Sequence, residues 1–432
     1  MTTTAQLNIL DELYMHLDRE DEPWSVHIEV WVEASLDSDK LVEAVREAAA
    51  KHPIARARLG ESKGTDFSYE WVIEDELADP PVAAVDAPDD AALDRAREAL
   101  MGHSPALDRV GPFEIVLARR PDGEDDVLLL NLHHAAGDGL GALRLIASVL
   151  RAYRGDDDPH PDVDPLEVRD VTDLIGAEGI GDRVKRIRAL AEHVARFASR
   201  PIRIAPAGGD DDAPAYGFAT LRLGPDEMAR VMERRVGDAT ANDVLVAALG
   251  VAARRWNEQH DGPTGRAALM MPVNLRPKEW RFDVIANFAS YVTVHLPESE
   301  QEDMETAVAA VAEHTRQIKD DGIPGLIVDL LAFPTALPTG IKQRLQELIP
   351  LTGNVVVDTA VLSNLGKLDA LPGVTRVGFS PPGRMPLGAS FGVATLDDQM
   401  WVTLRYRHAL FDAEAADQFL RLYERVLLDD KS

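Results

Sequence analysis

Residues 126–139 read DVLLLNLHHAAGDG: a strongly apolar strand that runs out at two histidines and passes through a glycine-rich turn into LGALRLIASVLRAYRG, a helix that Gly155 ends. Loops at strand ends are where reacting groups sit. If the strand continues through His133 and His134, the two side chains point to opposite sides, and only one faces a given cavity. Asp138, four residues beyond His134 in a turn flanked by Gly137 and Gly139, can fix that turn through a salt bridge or backbone hydrogen bonds. Imidazole, with an ordinary pKa of about 6.5, can hold or release a proton near neutrality, as a general base must. A strand-capping histidine beside a helix-capping aspartate is the bland alternative, but the combination at a strand-to-helix junction favours chemistry. No metal is expected. Adjacent histidines rarely converge on one ion, and no nearby carboxylate has the spacing of a metalloprotease helix.

Working outward, both halves of the chain mix strands with helices. SVHIEVWVEA (25–34) alternates as a half-buried strand, and a helix with Leu41, Val45 and Ala48 on one face follows, stopped by Pro53. Strand-like runs begin at Phe67, Pro112 and Asp126, with a helix over 90–101. After residue 216, FATLRLG and helices over 225–236 and 242–258 lead to strands AALMMPVNLRP and ANFASYVTVHLP and a helix over 304–318. Strands near VVVDTAVLSN, TRVGFSPP, GASFGVATL and MWVTLRYR precede a last helix over 413–428. Neither half keeps a regular strand-helix-strand rhythm, so mixed α/β (α+β) layers are expected rather than a doubly wound sheet.

At 432 residues with 45% apolar content, the chain exceeds one ordinary core, and two domains are expected. The acidic, proline-rich DDDPHPDVDP and the closing APAGGDDDAPA bound a linker, giving a first domain over 1–160, a linker over 161–215 and a second domain over 216–432. With no cysteine, disulfides, thiolate zinc and a cysteine nucleophile are excluded. A formal net charge of -29 argues against nucleic acid. Only nine of the 45 basic residues are lysine, a pattern that suits a salt-rich cytoplasm or an arginine-favouring genome. The opening MTTTAQLNILDE carries no cationic-then-apolar signal and no run approaches eighteen apolar residues, so a soluble, cytoplasmic protein is expected.

The HHxxxDG pattern of His133, His134, Asp138 and Gly139 resembles the hallmark of the condensation-domain and chloramphenicol-acetyltransferase-like acyltransferases. Other segments extend the likeness: DELYMHLDREDEPWSVHIEV from Asp11 resembles the opening of bacterial wax ester synthase/diacylglycerol acyltransferases, and HPIARARL from His52 is similar to an "HPxLR" segment. ANDVLVAAL from Ala241, LSNLG from Leu362 and RYRHALFD from Arg405 resemble later segments in the same order. The aromatic and proline signature that wax ester synthases carry after the motif has no counterpart here, so the resemblance bears on the reaction more than on the substrate class.

The resemblance implies two similar lobes in a V-shaped arrangement with the active site at their interface. It makes His134 the general base that activates a hydroxyl or amine acceptor against a thioester, with no covalent enzyme intermediate and no bound cofactor. Acyl-CoA or an acyl-phosphopantetheine on a carrier protein would be the co-substrate. Asp138 would shape the loop and pair with an arginine, His133 would be structural, and Gly139 would leave room for the thioester. Asn242, Ser363 and Asn364 are the candidates for the oxyanion or substrate contact, although an Asn-Asp pair after Thr240 also suits a helix N-terminus and Ser-Asn-Leu-Gly an ordinary turn. Between Arg183 and Arg203, seven basic residues stand against Glu192 on an amphipathic helix. Such a helix could meet coenzyme A phosphates, a carrier's acidic helix or an anionic membrane, but at this net charge pairing with the acidic flanks is preferred. Ester formation leads; amide formation from carrier-bound substrates and a non-catalytic binding member of the fold are the alternatives.

Overall fold

The computed structural model describes residues 3–33, 35–121, 123–159, 162–171, 200–210, 216–277, 283–323, 337–346, 358–371, 373–383 and 387–428, with residues 179, 181, 184, 185, 188 and 213 besides. Most of the basic stretch 183–203 lies outside the described residues.

The first lobe is built on a five-stranded mixed sheet. Its strands are β2 (Ser25–Val32), β5 (Val82–Asp86), β6 (Phe113–Arg119), β7 (Asp126–His133) and β12 (Val374–Ser380), ordered β12-β2-β7-β6-β5. The apolar run 126–133 is the central strand, buried at every position, because both faces of the sheet are covered. Leu128, Leu130 and Leu132 face helices α2 (Ser38–Lys51) and α4 (Gly139–Arg154), while Val127 and Leu129 face α3 (Asp90–Met101). Helix α4 starts on Asp138, whose side chain accepts from Gly141 N, and ends at Gly155 in the left-handed conformation (φ 76°) that lets a glycine close a helix. A small antiparallel sheet of β1 (Thr3–Gln6), β4 (Glu70–Ile73) and β3 (Ala57–Leu59) lies beside α1 (Ile9–Leu17).

The second lobe has a six-stranded sheet from β8 (Tyr216–Leu223), β9 (Ala267–Asn274), β10 (Ala289–Leu296), β11 (Ala360–Lys367), β13 (Ala389–Leu396) and β14 (Gln399–Arg407). Its order is β10-β9-β11-β13-β14-β8, with β11 parallel to both neighbours. Helices α5 (Pro225–Glu233), α6 (Ala241–Gln259), α7 (Met304–Asp320) and α9 (Ala413–Leu428) cover it, and α6 carries an unbroken buried run from Asp243 to Ala253. A short helix, α8 (Thr339–Gln346), packs near α1 through a buried Lys342–Glu12 ion pair at 2.8 Å.

The elements expected from periodicity form at nearly the expected limits, and the mixed α/β class with two lobes holds. The pairing of β12 with β2 was not visible in periodicity. This strand from late in the chain hydrogen-bonds antiparallel to the first lobe, with Ser380 opposite His27 and Arg376 opposite Trp31. It lies close against β13: a Cβ on Gly392 would fall 1.8 Å from Phe379 O, so only glycine fits there.

Candidate active site

His133 and His134 stand at the end of β7, and the alternation of the strand separates them. His133 is 1% exposed and built into the turn: Nδ1 accepts from Ala135 N at 3.0 Å, and Nε2 lies 3.6 Å from Asp18. Burial alone would raise the Asp18 carboxyl, but hydrogen bonds from His133, Ser104 and Trp24 N hold it below its ordinary value.

His134 is placed by residues from three distant segments. Its ring lies against that of Tyr14 on α1, centroids 3.9 Å apart, and the Tyr14 hydroxyl donates to Ala289 O at 2.9 Å. Its Nδ1 is 3.3 Å from Asn287 Oδ1. The Asn287 amide nitrogen faces three acceptors, Asp11 Oδ1 at 2.9 Å and the carbonyls of His134 (2.7 Å) and Ala135 (3.2 Å). Carbonyls and a carboxylate only accept, so this end of Asn287 must be NH2 and the end toward His134 must be oxygen. His134 Nδ1 therefore donates a proton, and Nε2 holds the free lone pair. Asp11 is fixed in turn by Arg169 (2.5 Å), Asn8 and Trp71.

Burial lowers His134 from its ordinary 6.5 to about 4, opposed by a hydrogen bond to its backbone, the Asp138 charge and Asn287. The imidazole is therefore neutral near pH 7, in the form that can accept a proton. A general base at His134 would be consumed only as pH falls toward its own pKa, so the acid limb of kcat/KM is then expected close to pH 4. A pH-rate profile with its acid limb near 6.5 would assign the base to another group.

The arginine partner expected for Asp138 is Arg276, immediately beyond β9. One of its terminal nitrogens donates to both carboxylate oxygens at 2.9 and 3.1 Å, while Gly141 N and Phe288 N supply two further donors at 2.9 and 3.0 Å. Arg276 also donates to Val284 O and Ala286 O and lies over the Phe288 ring at 4.7 Å. Burial lowers this guanidinium, and Asp138 opposes the effect. The pair ties the HHxxxDG turn to the 284–288 segment, which also carries Asn287, so one contact fixes both the turn and the group that orients His134. At Gly139 an added Cβ would meet Leu365 and Phe379 at 2.7 and 2.9 Å. The glycine lets residues of β11 and β12 approach the start of α4.

The second-lobe candidates are placed by contacts among themselves. Asn242, in the first turn of α6 capped by Thr240, sets its amide 2.6 Å from Met271 Sδ, and Asn364 Nδ2 lies 3.4 Å from Asn242 Oδ1. Ser363 is buried on β11. The two asparagines are thus together, but no hydrogen bond among the described residues joins either one, or Ser363, to His134. Asp11, Tyr14, Arg169, Arg276 and Asn287 were not anticipated as site residues. Among the described residues no group of three metal-ligating side chains converges, and no helix is long and apolar enough to cross a membrane.

Two lobes sharing a crossover strand, with an HHxxxDG turn pinned across their junction, define a condensation-domain-like protein. The cyclization-docking bidomain of the EpoB nonribosomal peptide synthetase from Sorangium cellulosum superposes with a TM-score of 0.70 at 17% identity, over 100% of this chain and 85% of that one. The trichothecene 15-O-acetyltransferase TRI3 from Fusarium sporotrichioides gives 0.67 at 12% identity, over 100% and 96%. The chain has the condensation-domain fold, and it belongs to one family with the uncharacterized protein Rv2305 of Mycobacterium tuberculosis, to which it is 38% identical across 99% of this chain and 100% of that one. A putative diacylglycerol O-acyltransferase of the same organism, Rv2285, is 28% identical over 40% of this chain and 41% of its own length. No protein-family model matches.

Proposed function

We propose that this chain is a cytoplasmic acyltransferase that moves an acyl group from a thioester, acyl-CoA or acyl-phosphopantetheine, onto a hydroxyl acceptor. The observation that carries the reading is the tautomer of His134, which Asn287 fixes with the lone pair on Nε2. In the reaction the acceptor oxygen attacks the thioester carbonyl while Nε2 takes its proton. The C–O bond forms, the C–S bond breaks as the tetrahedral centre collapses, and the imidazolium returns its proton to the departing thiolate. Asp138 and the Asn287 oxygen favour the transient positive charge on the ring. No covalent acyl-enzyme is needed, in keeping with a chain that has no cysteine. Asn242, Asn364 and Ser363 are the groups proposed to face the acyl oxygen or the acceptor. An ester product is preferred because TRI3 is an O-acetyltransferase and Rv2285 a putative diacylglycerol O-acyltransferase.

The test is thiol release by the purified chain, from a panel of acyl-CoAs with alcohols and from acyl-carrier protein with amines. Acceptor-dependent release with alcohols and an ester product are expected. Release only with amines would make it an amide-forming condensation enzyme, and no acceptor-dependent release with any pair would refute acyl transfer.

A further inference from the structure

A second cleft lies between the lobes, away from the ring of His134. Residues opposite one another in an antiparallel pair share a face, so His27, Glu29 and Trp31 of β2 lie on the side of the sheet that carries Asn131 and Leu129 of β7. That face, α3 and the strands β8, β12 and β14 enclose a cavity of about 330 Å3, within the range that holds a small organic ligand.

Its lining carries three carboxylates, Glu29, Asp90 and Asp94, and three arginines, Arg97, Arg222 and Arg376. The carboxylates that line it are already engaged: Glu29 forms a two-pronged pair with Arg97 (2.5 and 2.6 Å), Asp94 also meets Arg97 at 2.6 Å, and Asp90 meets Arg120 at 3.0 Å. Arg376 is held over two indoles instead, 5.5 Å from the centre of Trp31 and 5.9 Å from Trp401. Arg222 donates to Gln399. Among the described residues no carboxylate pairs with Arg376 or Arg222, in a chain whose net charge is -29. The hydroxyl of Thr403, on the wall of the cleft and 7% exposed, has no hydrogen-bond partner. Next along the same face of β14, Arg405 is 1% exposed and lies 3.9 Å from the Tyr216 ring, its Nε likewise without a partner. A buried hydroxyl left unpaired is costly, and a ligand oxygen would satisfy it.

We propose that this cleft is a second ligand site, for a planar organic anion whose flat body lies against Trp31 and Trp401 and whose carboxylate or phosphate meets Arg376, Arg222 and the Thr403 hydroxyl. Guanidinium groups match both kinds of oxyanion in geometry, and indole faces take flat rings. Such an anion could be the nucleotide end of a thioester donor or a separate aromatic acid.

Titration calorimetry on the full chain, which needs no turnover and so stands independent of the acyl-transfer assay, separates these. The probes are adenosine 3′,5′-bisphosphate, 1-naphthoate and inorganic phosphate. Saturable binding of the bisphosphate or of naphthoate is expected, weakened about tenfold or more in Arg376→Ala, since a charge-assisted hydrogen bond is lost from an exposed residue that the fold does not need. The probe that binds identifies the source of the anion. Absence of binding by both planar probes would overturn the proposal. So would equal affinity for inorganic phosphate, or an Arg376→Ala protein that binds as the parent does.

Discussion

His134→Ala is expected to fold, to bind donor and to turn over 10²- to 10⁴-fold more slowly, the range that a positioned general base supplies. Among the described residues the side chain's contacts with other residues are a hydrogen bond to Asn287 and a ring contact with Tyr14. Asn287 stays anchored through its NH2 group to Asp11 and two carbonyls when the ring is removed. Loss of function should therefore separate from loss of structure. His133→Ala should behave in the opposite way, because it removes the acceptor for Ala135 N and one of the partners of Asp18. Measuring kcat, donor affinity and the circular dichroism melt for both variants checks the contrast. Near-parental kcat in His134→Ala would sink the proposed mechanism.

Arg276→Met is expected to be the most destabilising single change at the site. It leaves the Asp138 carboxylate buried with two backbone donors but no countercharge, and breaking a buried pair in this way costs about 3–5 kcal/mol. The same substitution removes donors from the carbonyls of Val284 and Ala286. Pairing it with Asp138→Asn should restore part of the loss, because a neutral amide no longer needs a cation. The denaturant midpoints of the two single variants and the double variant measure the coupling. If the double variant is as unstable as the sum of the singles, the pair does not hold the turn as described.

The HHxxxDG turn was legible in the sequence because everything that defines it is local. An apolar strand, two histidines and a capped helix follow one another within about thirty residues, and periodicity reads such runs directly. The groups that make His134 usable were not legible, because they arrive from elsewhere: Asn287 lies 153 positions from His134, and Arg276 lies 138 from Asp138. Asp11 stood inside a quoted segment, yet it is the third residue of a capped helix and closes its capping box, so nothing local distinguishes it from an ordinary capping acid. Arg276 had one available signal, a charged residue at the end of an apolar strand and followed by proline. Asn242 shows the converse. Its place in the first turn of α6 follows from the Thr240 cap, but the sequence could not say that its amide rests on Met271 and Asn364. For β12, alternation announced a strand and gave no hint of which sheet it would join.

The crossing of β12 has a consequence for anyone who would divide the molecule. Its six paired positions give β2 a neighbour on its outer side. A fragment ending before Val374 would contain every other strand of the first sheet and the whole HHxxxDG turn, yet it would present β2 as a bare edge with unpaired backbone groups, the kind of surface that recruits other chains into aggregates. Severing the chain between the lobes thus gives halves that are unequal in a specific way: one lacks a strand and the other carries a surplus one. Complementation of separately expressed halves should depend on the piece that holds residues 374–380.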